Sequence, residues 1–176
     1  MILGLNLPNY SRLGNRVSMI RPESRGAGYS SLWTSDHILI PANRPEPFGN
    51  VLETFTTLSF LAARTETIRL GTGILVLPQR DPLLAAKQAA TIHHLSGGRF
   101  MLGIGVGYIT EEYSFLRADF GRRGQLADEY IQAIRVLFEA TTLSITASTL
   151  TSPKSCSHLD RPLRPQLWLA AAAQGR

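Results

Sequence analysis

Apolar runs and stretches of helical spacing alternate along this chain. Ile2 to Leu7 is a short apolar run ended by Pro8 and Asn9, which predicts a first strand. Arg16 to Ala27 stands where a crossover helix is needed, but Pro22 removes a backbone donor inside it, and Gly26 and Gly28 weaken its end. Tyr29 to Thr34 predicts a second strand leading into Ser35-Asp36-His37, and a loop with Pro41, Pro45 and Pro47 follows. Val51 to Arg64 is helical, with Leu52, Phe55, Leu58 and Ala62 along one side. Ile68 to Pro78, apolar and largely β-branched, predicts a third strand buried on both faces.

Asp81 is a good cap and Pro82 a good first residue for a helix running to His94, which Ser96-Gly97-Gly98 stops. Phe100 to Tyr108 predicts the fourth strand. A polar loop or short helix spans Thr110 to Gly124. Gln125 to Glu139 is the strongest helical pattern, with Leu126, Tyr130, Ile134 and Leu137 on one face. Ala140 to Cys156 has no clear period, and Gln166 to Ala173 predicts a fifth strand.

Strands alternating with helices imply parallel pairing, in either a doubly wound sheet or a (β/α) barrel. Glycines narrow what the sheet does. Gly71 and Gly73 fall on one face of the third strand, and Gly103, Gly105 and Gly107 on one face of the fourth. Strand glycines mark places where a backbone or a ligand comes close, so two such neighbouring strands predict a flat slot. A dinucleotide fingerprint is the rival reading of the second set. Its spacing fails, because G-x-G-x-G is not G-x-G-x-x-G opening a helix.

Composition excludes more than it identifies. The 176 residues suit a single domain over 1–176. The net charge is +5, yet only Lys87 and Lys154 of the 18 basic residues are lysine, and the arginines are scattered, so no nucleic-acid stripe is expected. Cys156 is alone and no metal-ligand spacing is present. Met1 to Leu5 has no basic segment and no apolar run approaches membrane length, so a cytoplasmic protein without a membrane partner is expected.

Several segments resemble a known family. Gly28-Tyr29-Ser30-Ser31-Leu32-Trp33-Thr34-Ser35-Asp36-His37 looks like the second-strand signature of the luciferase-like monooxygenases. Ile68 to Pro78 with Pro82, Ala86 and Lys87, then Leu95-Ser96-Gly97-Gly98-Arg99-Phe100, Gly103 to Tyr108, Glu111-Glu112-Tyr113 and Arg123-Gly124 to Tyr130 continue the match. The resemblance implies an α/β fold, a (β/α)8 TIM barrel with its cofactor at the C-terminal mouth of the strands. By overall wording the chain is similar to the branch that uses the 8-hydroxy-5-deazaflavin coenzyme F420, with the FMN-using branch second. An oxidoreductase that passes hydride or activates oxygen on a small-molecule substrate is therefore expected.

The same resemblance implies site residues. A cis peptide is expected in a bulge at Gly73-Ile74, behind the cofactor ring. Asp36, Gly73, Ile74, Val76, Gly105, Val106, Gly107 and Tyr108 are expected around the cofactor, with Ala171 and Ala172 near its phosphate. His37 is the candidate for moving a proton, because imidazoles as a class titrate near neutral pH. Asp36 would orient it or bond the cofactor, and Glu111 is the candidate acid where some relatives carry a glutamate just past the glycines. His93 and His94 are expected to be structural, and Trp33 and Trp168 to fill core.

The chain departs from the pattern in extent. A full barrel takes about 250 residues, so only the first five strands are expected, with strands six to eight absent. Alanines at 171–173 stand where the family has glycines. A non-catalytic remnant, or a half-barrel that self-associates through bare strand edges as a homo-oligomer, is the alternative expectation.

Overall fold

The computed structural model describes residues 3–7, 28–43, 51–139 and 165–169. The Arg16 to Ala27 helix, Pro22, the 140–156 segment, Cys156, Ala171 and Ala172 lie outside them. The strands are β1 (Leu3–Leu7), β2 (Tyr29–Thr34), β3 (Arg69–Thr72), β4 (Leu75–Val76), β5 (Phe100–Gly105) and β6 (Gln166–Leu169). The helices are α1 (Thr54–Arg64), α2 (Pro82–Leu95), α3 (Thr110–Phe115) and α4 (Arg123–Glu139).

All six strands pair in parallel. β1 lies on β2 (Leu5 opposite Leu32) and β2 on β3 (Trp33 opposite Gly71). β5 takes β3 and then β4 along one edge and β6 along the other, since Met101 pairs with both Gly71 and Gln166, and Ile104 with both Leu75 and Leu169. The third strand is thus not continuous as its apolar run suggested. The Gly73–Ile74 peptide is cis, the strand breaks there, and a 3-10 turn at Leu77–Gln79 ends it. The fourth strand stops at Gly105, short of Tyr108.

Caps and glycines set the helix boundaries. Asp81 accepts from the Leu84 N–H at 2.8 Å, with Pro82 as the first helical residue of α2. Glu53 does the same for α1 through the Thr56 N–H at 2.7 Å. Gly97 and Gly98 leave α2 with φ of 64° and 84°, a left-handed turn that side chains resist.

Leu32, Leu70, Phe100, Leu102 and Ile104 face the helices, and they pack with Phe55, Leu58 and Leu61 of α1, Ile92 of α2 and Ile134 and Phe138 of α4. Each such burial stabilises by about 1.5–3 kcal/mol. The face α2 buries is Ala85, Ala86, Ala89 and Ala90, while Leu83 and Leu84 stay exposed, so this helix can lie close to the sheet. The opposite sheet face, with Trp33, Gly71, Met101 and Gly103, has no helix on it among the described residues. Helices on one face of a parallel sheet, with the other turned inward, is the arrangement of a barrel wall.

Candidate active site

The C-terminal ends of β2, β4 and β5 meet at one end of the sheet. They bring together Asp36 and His37 after β2, Arg80 after the 3-10 turn, Val106 to Tyr108 after β5, and Glu112 from α3. Parallel α/β sheets place their chemistry at this end.

Asp36 is 4 % exposed. Its Oδ2 accepts from the Val76 N–H at 2.9 Å and from Arg80 Nε at 3.3 Å, and its Oδ1 accepts from Arg80 Nη2 at 2.5 Å. Arg80 also reaches Glu53 at 3.5 Å and lies over the Phe55 ring. Burial pushes the Asp36 carboxyl up, against the pull of the Arg80 guanidinium and the Val76 N–H. Both Asp36 oxygens are engaged in tying the end of β2 to β4.

The carboxylate seated on His37 is Glu112. Its Oε2 lies 3.2 Å from His37 Nδ1, while Oε1 accepts from the Ile38 N–H at 2.6 Å and the Leu39 N–H at 3.3 Å. Glu112 is 1 % exposed. Burial would raise this carboxyl, but the His37 hydrogen bond and the two N–H groups outweigh it, and it sits below the usual carboxylate range. An ionised carboxylate only accepts, so the His37 nitrogen facing it is placed as a donor. Glu111, the carboxylate picked out in the sequence, is half-buried next door. The Tyr108 ring stands edge-on to His37 with centroids 6.3 Å apart, and it is exposed.

The glycines do not leave an empty slot. A Cβ on Gly71 would strike the Trp33 indole, one on Gly105 would come within 2.6 Å of Ile74 Cδ1, and one on Gly107 within 2.7 Å of Val76 Cγ1. A Cβ on Gly73 would lie 3.3 Å from Trp33 Cβ. The expected slot is therefore filled by the chain's own side chains, and Trp33 is a half-buried cover on the inner face rather than part of the helix-side core. What remains open is a ledge of half-buried Gly73, Ile74, Val106 and Gly107 beside exposed Tyr108. Val76 and Gly105 are buried and shape that ledge from behind.

Sequence reasoning overlooked Arg80 and gave Glu112 no role. Among the described residues no helix is long and apolar enough to cross a membrane, and no group of side chains could hold a metal ion.

Comparison with known proteins bears on the family and the fold. The chain is 37 % identical over 92 residues to the 4-hydroxyprotoasukamycin monooxygenase of Streptomyces nodosus subsp. asukaensis, covering 52 % of this chain and 23 % of that one. It is 31 % identical over 161 residues to the oxygenase component of a flavin-dependent trigonelline monooxygenase from Acinetobacter baylyi, covering 88 % and 42 %. In fold it superposes on the monooxygenase RslO1 from Streptomyces bottropensis with a TM-score of 0.76 at 21 % identity, covering 99 % of this chain and 54 % of the other. An F420-dependent secondary alcohol dehydrogenase, in complex with an F420-acetone adduct, superposes with a TM-score of 0.71 at 15 % identity, covering 96 % and 51 %. The chain thus spans less than half the length of these two sequence relatives and about half that of the structural neighbours. The family model for luciferase-like monooxygenases matches residues 26–175, and the chain belongs to that family.

Proposed function

We propose that this chain carries the proton-handling side of a flavin-type oxidoreductase site, acting on a small-molecule substrate beside bound F420 or, as the second candidate, FMN. When bound, such a ring supplies hydride transfer or oxygen activation. One observation carries the reading: His37 Nδ1 sits 3.2 Å from buried Glu112 at the strand ends, with the exposed Tyr108 ring edge-on to it. A half-buried, largely apolar surface beside Tyr108 fits the flat face of a planar ring. Ile74, Val106 and Tyr108 would hold that face.

His37 Nε2 would take a proton from a substrate hydroxyl when unprotonated or, when protonated, give one to a reduced product. Asp36 and Arg80 would keep the ends of β2 and β4 in register around it. Support for the cofactor class comes from the relatives: one is flavin-dependent by name, and one structural neighbour is F420-dependent.

Titration of the purified protein with F420 and with FMN, following the visible band of each ring, tests the reading. Binding of one of them in the micromolar range is expected, and no shift with either overturns the proposal. In the loaded enzyme, His37→Asn should keep the spectral shift and lower turnover about a hundredfold or more.

A further inference from the structure

The geometry points to Glu112 as the positioning residue of His37: its carboxylate fixes which imidazole nitrogen carries the proton and holds the 37–39 segment against α3. The inference rests on the redox reading above only for its catalytic consequence. The geometry itself is independent of any cofactor.

Three contacts converge on this one carboxylate. Oε2 meets His37 Nδ1 at 3.2 Å, and Oε1 accepts from two successive backbone N–H groups, those of Ile38 and Leu39, at 2.6 and 3.3 Å. The segment after β2 is 74 residues away in the chain from α3 at Ile38, so this contact sets where the imidazole sits relative to the end of β5. With 2 % side-chain exposure, Glu112 has no water shell to compete for those donors. His37 itself is 10 % exposed at its side chain. A carboxylate that took only backbone N–H groups would be a clip. One that also takes Nδ1 dictates a tautomer.

The neighbouring ionisable groups do not duplicate this role. Asp36 is committed to Arg80 and the Val76 N–H. The Tyr113 hydroxyl, beside Glu112 in the chain, donates to the Val106 carbonyl at 2.5 Å, and burial pushes its titration well above the usual phenol range. Arg123, on α4, lies over the Phe120 ring and donates to the Phe120 carbonyl. Glutamine at 112 has the shape of glutamate, but its amide nitrogen would face Nδ1 as a donor, because the carbonyl oxygen is claimed by the Ile38 N–H. The imidazole would then have to present a lone pair at Nδ1 and carry its proton on Nε2.

Long-range nitrogen–proton NMR of the histidine side chains in cofactor-free protein reads the tautomer directly, with His37→Asn assigning the signal among the four histidines. The neutral wild-type ring should be protonated on Nδ1, and Glu112→Gln should move the proton to Nε2. In the loaded enzyme the same variant should lose tenfold or more in kcat with little change in cofactor affinity, and Glu112→Asp should recover part of the loss. A wild-type ring protonated on Nε2, or a tautomer unchanged in Glu112→Gln, overturns the inference; the wild-type reading stands even where the variant does not fold. A tautomer that moves as expected in a protein binding neither F420 nor FMN would uphold Glu112 and overturn the redox reading instead.

Discussion

The Trp33 indole lies across the face of Gly71, where a Cβ would strike ring atoms Cζ3 and Cε3. Trp33 is also held at its other edge, because Nε1 donates to Ser31 Oγ at 2.9 Å and a Cβ on Gly4 would come within 2.7 Å of that nitrogen. The ring therefore spans three strands on the inner face of the sheet. Gly71→Ala should displace an indole that is only half-buried, so it can swing outward, at a cost of about 1–3 kcal/mol. Denaturant melts followed by tryptophan fluorescence measure both the loss and the new ring environment.

Gly103 is a harsher test of the same idea. Its added Cβ would strike the Thr72 carbonyl oxygen, which is backbone and cannot turn aside. Thr72 Oγ1 also donates to the Gly103 carbonyl at 2.7 Å and accepts from its N–H at 2.8 Å, so separating the strands there breaks a buried pair of bonds. Gly103→Ala should cost about 3 kcal/mol or more, and more than Gly71→Ala in the same melt. Equal losses at the two positions would contradict this ranking.

Period and caps made most of the architecture legible, because both act locally. Asp81-Pro82 and Gly97-Gly98 bound α2 where their chemistry requires, and the α4 face of Leu126, Ile134 and Leu137 is buried as its spacing demands. The glycine pattern was legible as close approach but not as close approach to what. A glycine shows that something occupies the missing Cβ's place, and Trp33, Ile74 and Val76 reach those places only through strand register. Arg80 was silent for the same reason, since its partner Asp36 is 44 residues away. Glu112 had a usable signal: Ile109, Glu112 and Tyr113 fall at i, i+3 and i+4, and all three are buried. That spacing turns Glu112 inward with Tyr113.

Breaking the Asp36–Arg80 pair from the cation side should show a pH signature. In the wild type the Asp36 carboxyl is raised above its ordinary value of 3.8, so its contribution to stability falls as pH rises from there through the folded value. Arg80→Met removes the guanidinium that restrains this rise and leaves a carboxyl 4 % exposed without its cation. At neutral pH the variant should lose about 3–5 kcal/mol. Acidification protonates the stranded carboxyl, so the deficit should be smaller in acidic than in neutral buffer. Urea melts in the two buffers measure it, and a deficit that stays constant or grows would contradict the assignment.

Glu112 should behave in the opposite sense. Its folded titration lies below the ordinary 4.5, so the stability it contributes is fully present above 4.5 and is lost as pH falls through the folded value. The margin of wild type over Glu112→Gln should therefore narrow as pH falls below about 4.5. Asp36 is common to both proteins and cancels in the difference, which reports the Glu112–His37 pair. Melts from pH 7 to pH 3 trace the margin.

Arg99 anchors the far end of the sheet from the site. All five of its N–H donors are used: Nε on the Ser96 carbonyl, Nη1 on Thr65 Oγ1 and the Ile68 carbonyl, and Nη2 on the Ala62 and Thr65 carbonyls, at 2.7 to 3.0 Å. Ala62 and Thr65 lie at the end of α1, where carbonyls have no partner within the helix. The planar fork thus closes α1, the start of β3 and the turn after α2 around one guanidinium. Lysine keeps the charge but offers three donors from one nitrogen, so it cannot reach carbonyls on several sides at once. Arg99→Lys should cost about 2–3 kcal/mol, against at most about 0.5 kcal/mol for Arg122→Lys on the exposed surface. Cofactor titration of Arg99→Lys, at a temperature where it remains folded, should match the wild type, because this arginine acts on the barrel wall and not on the mouth.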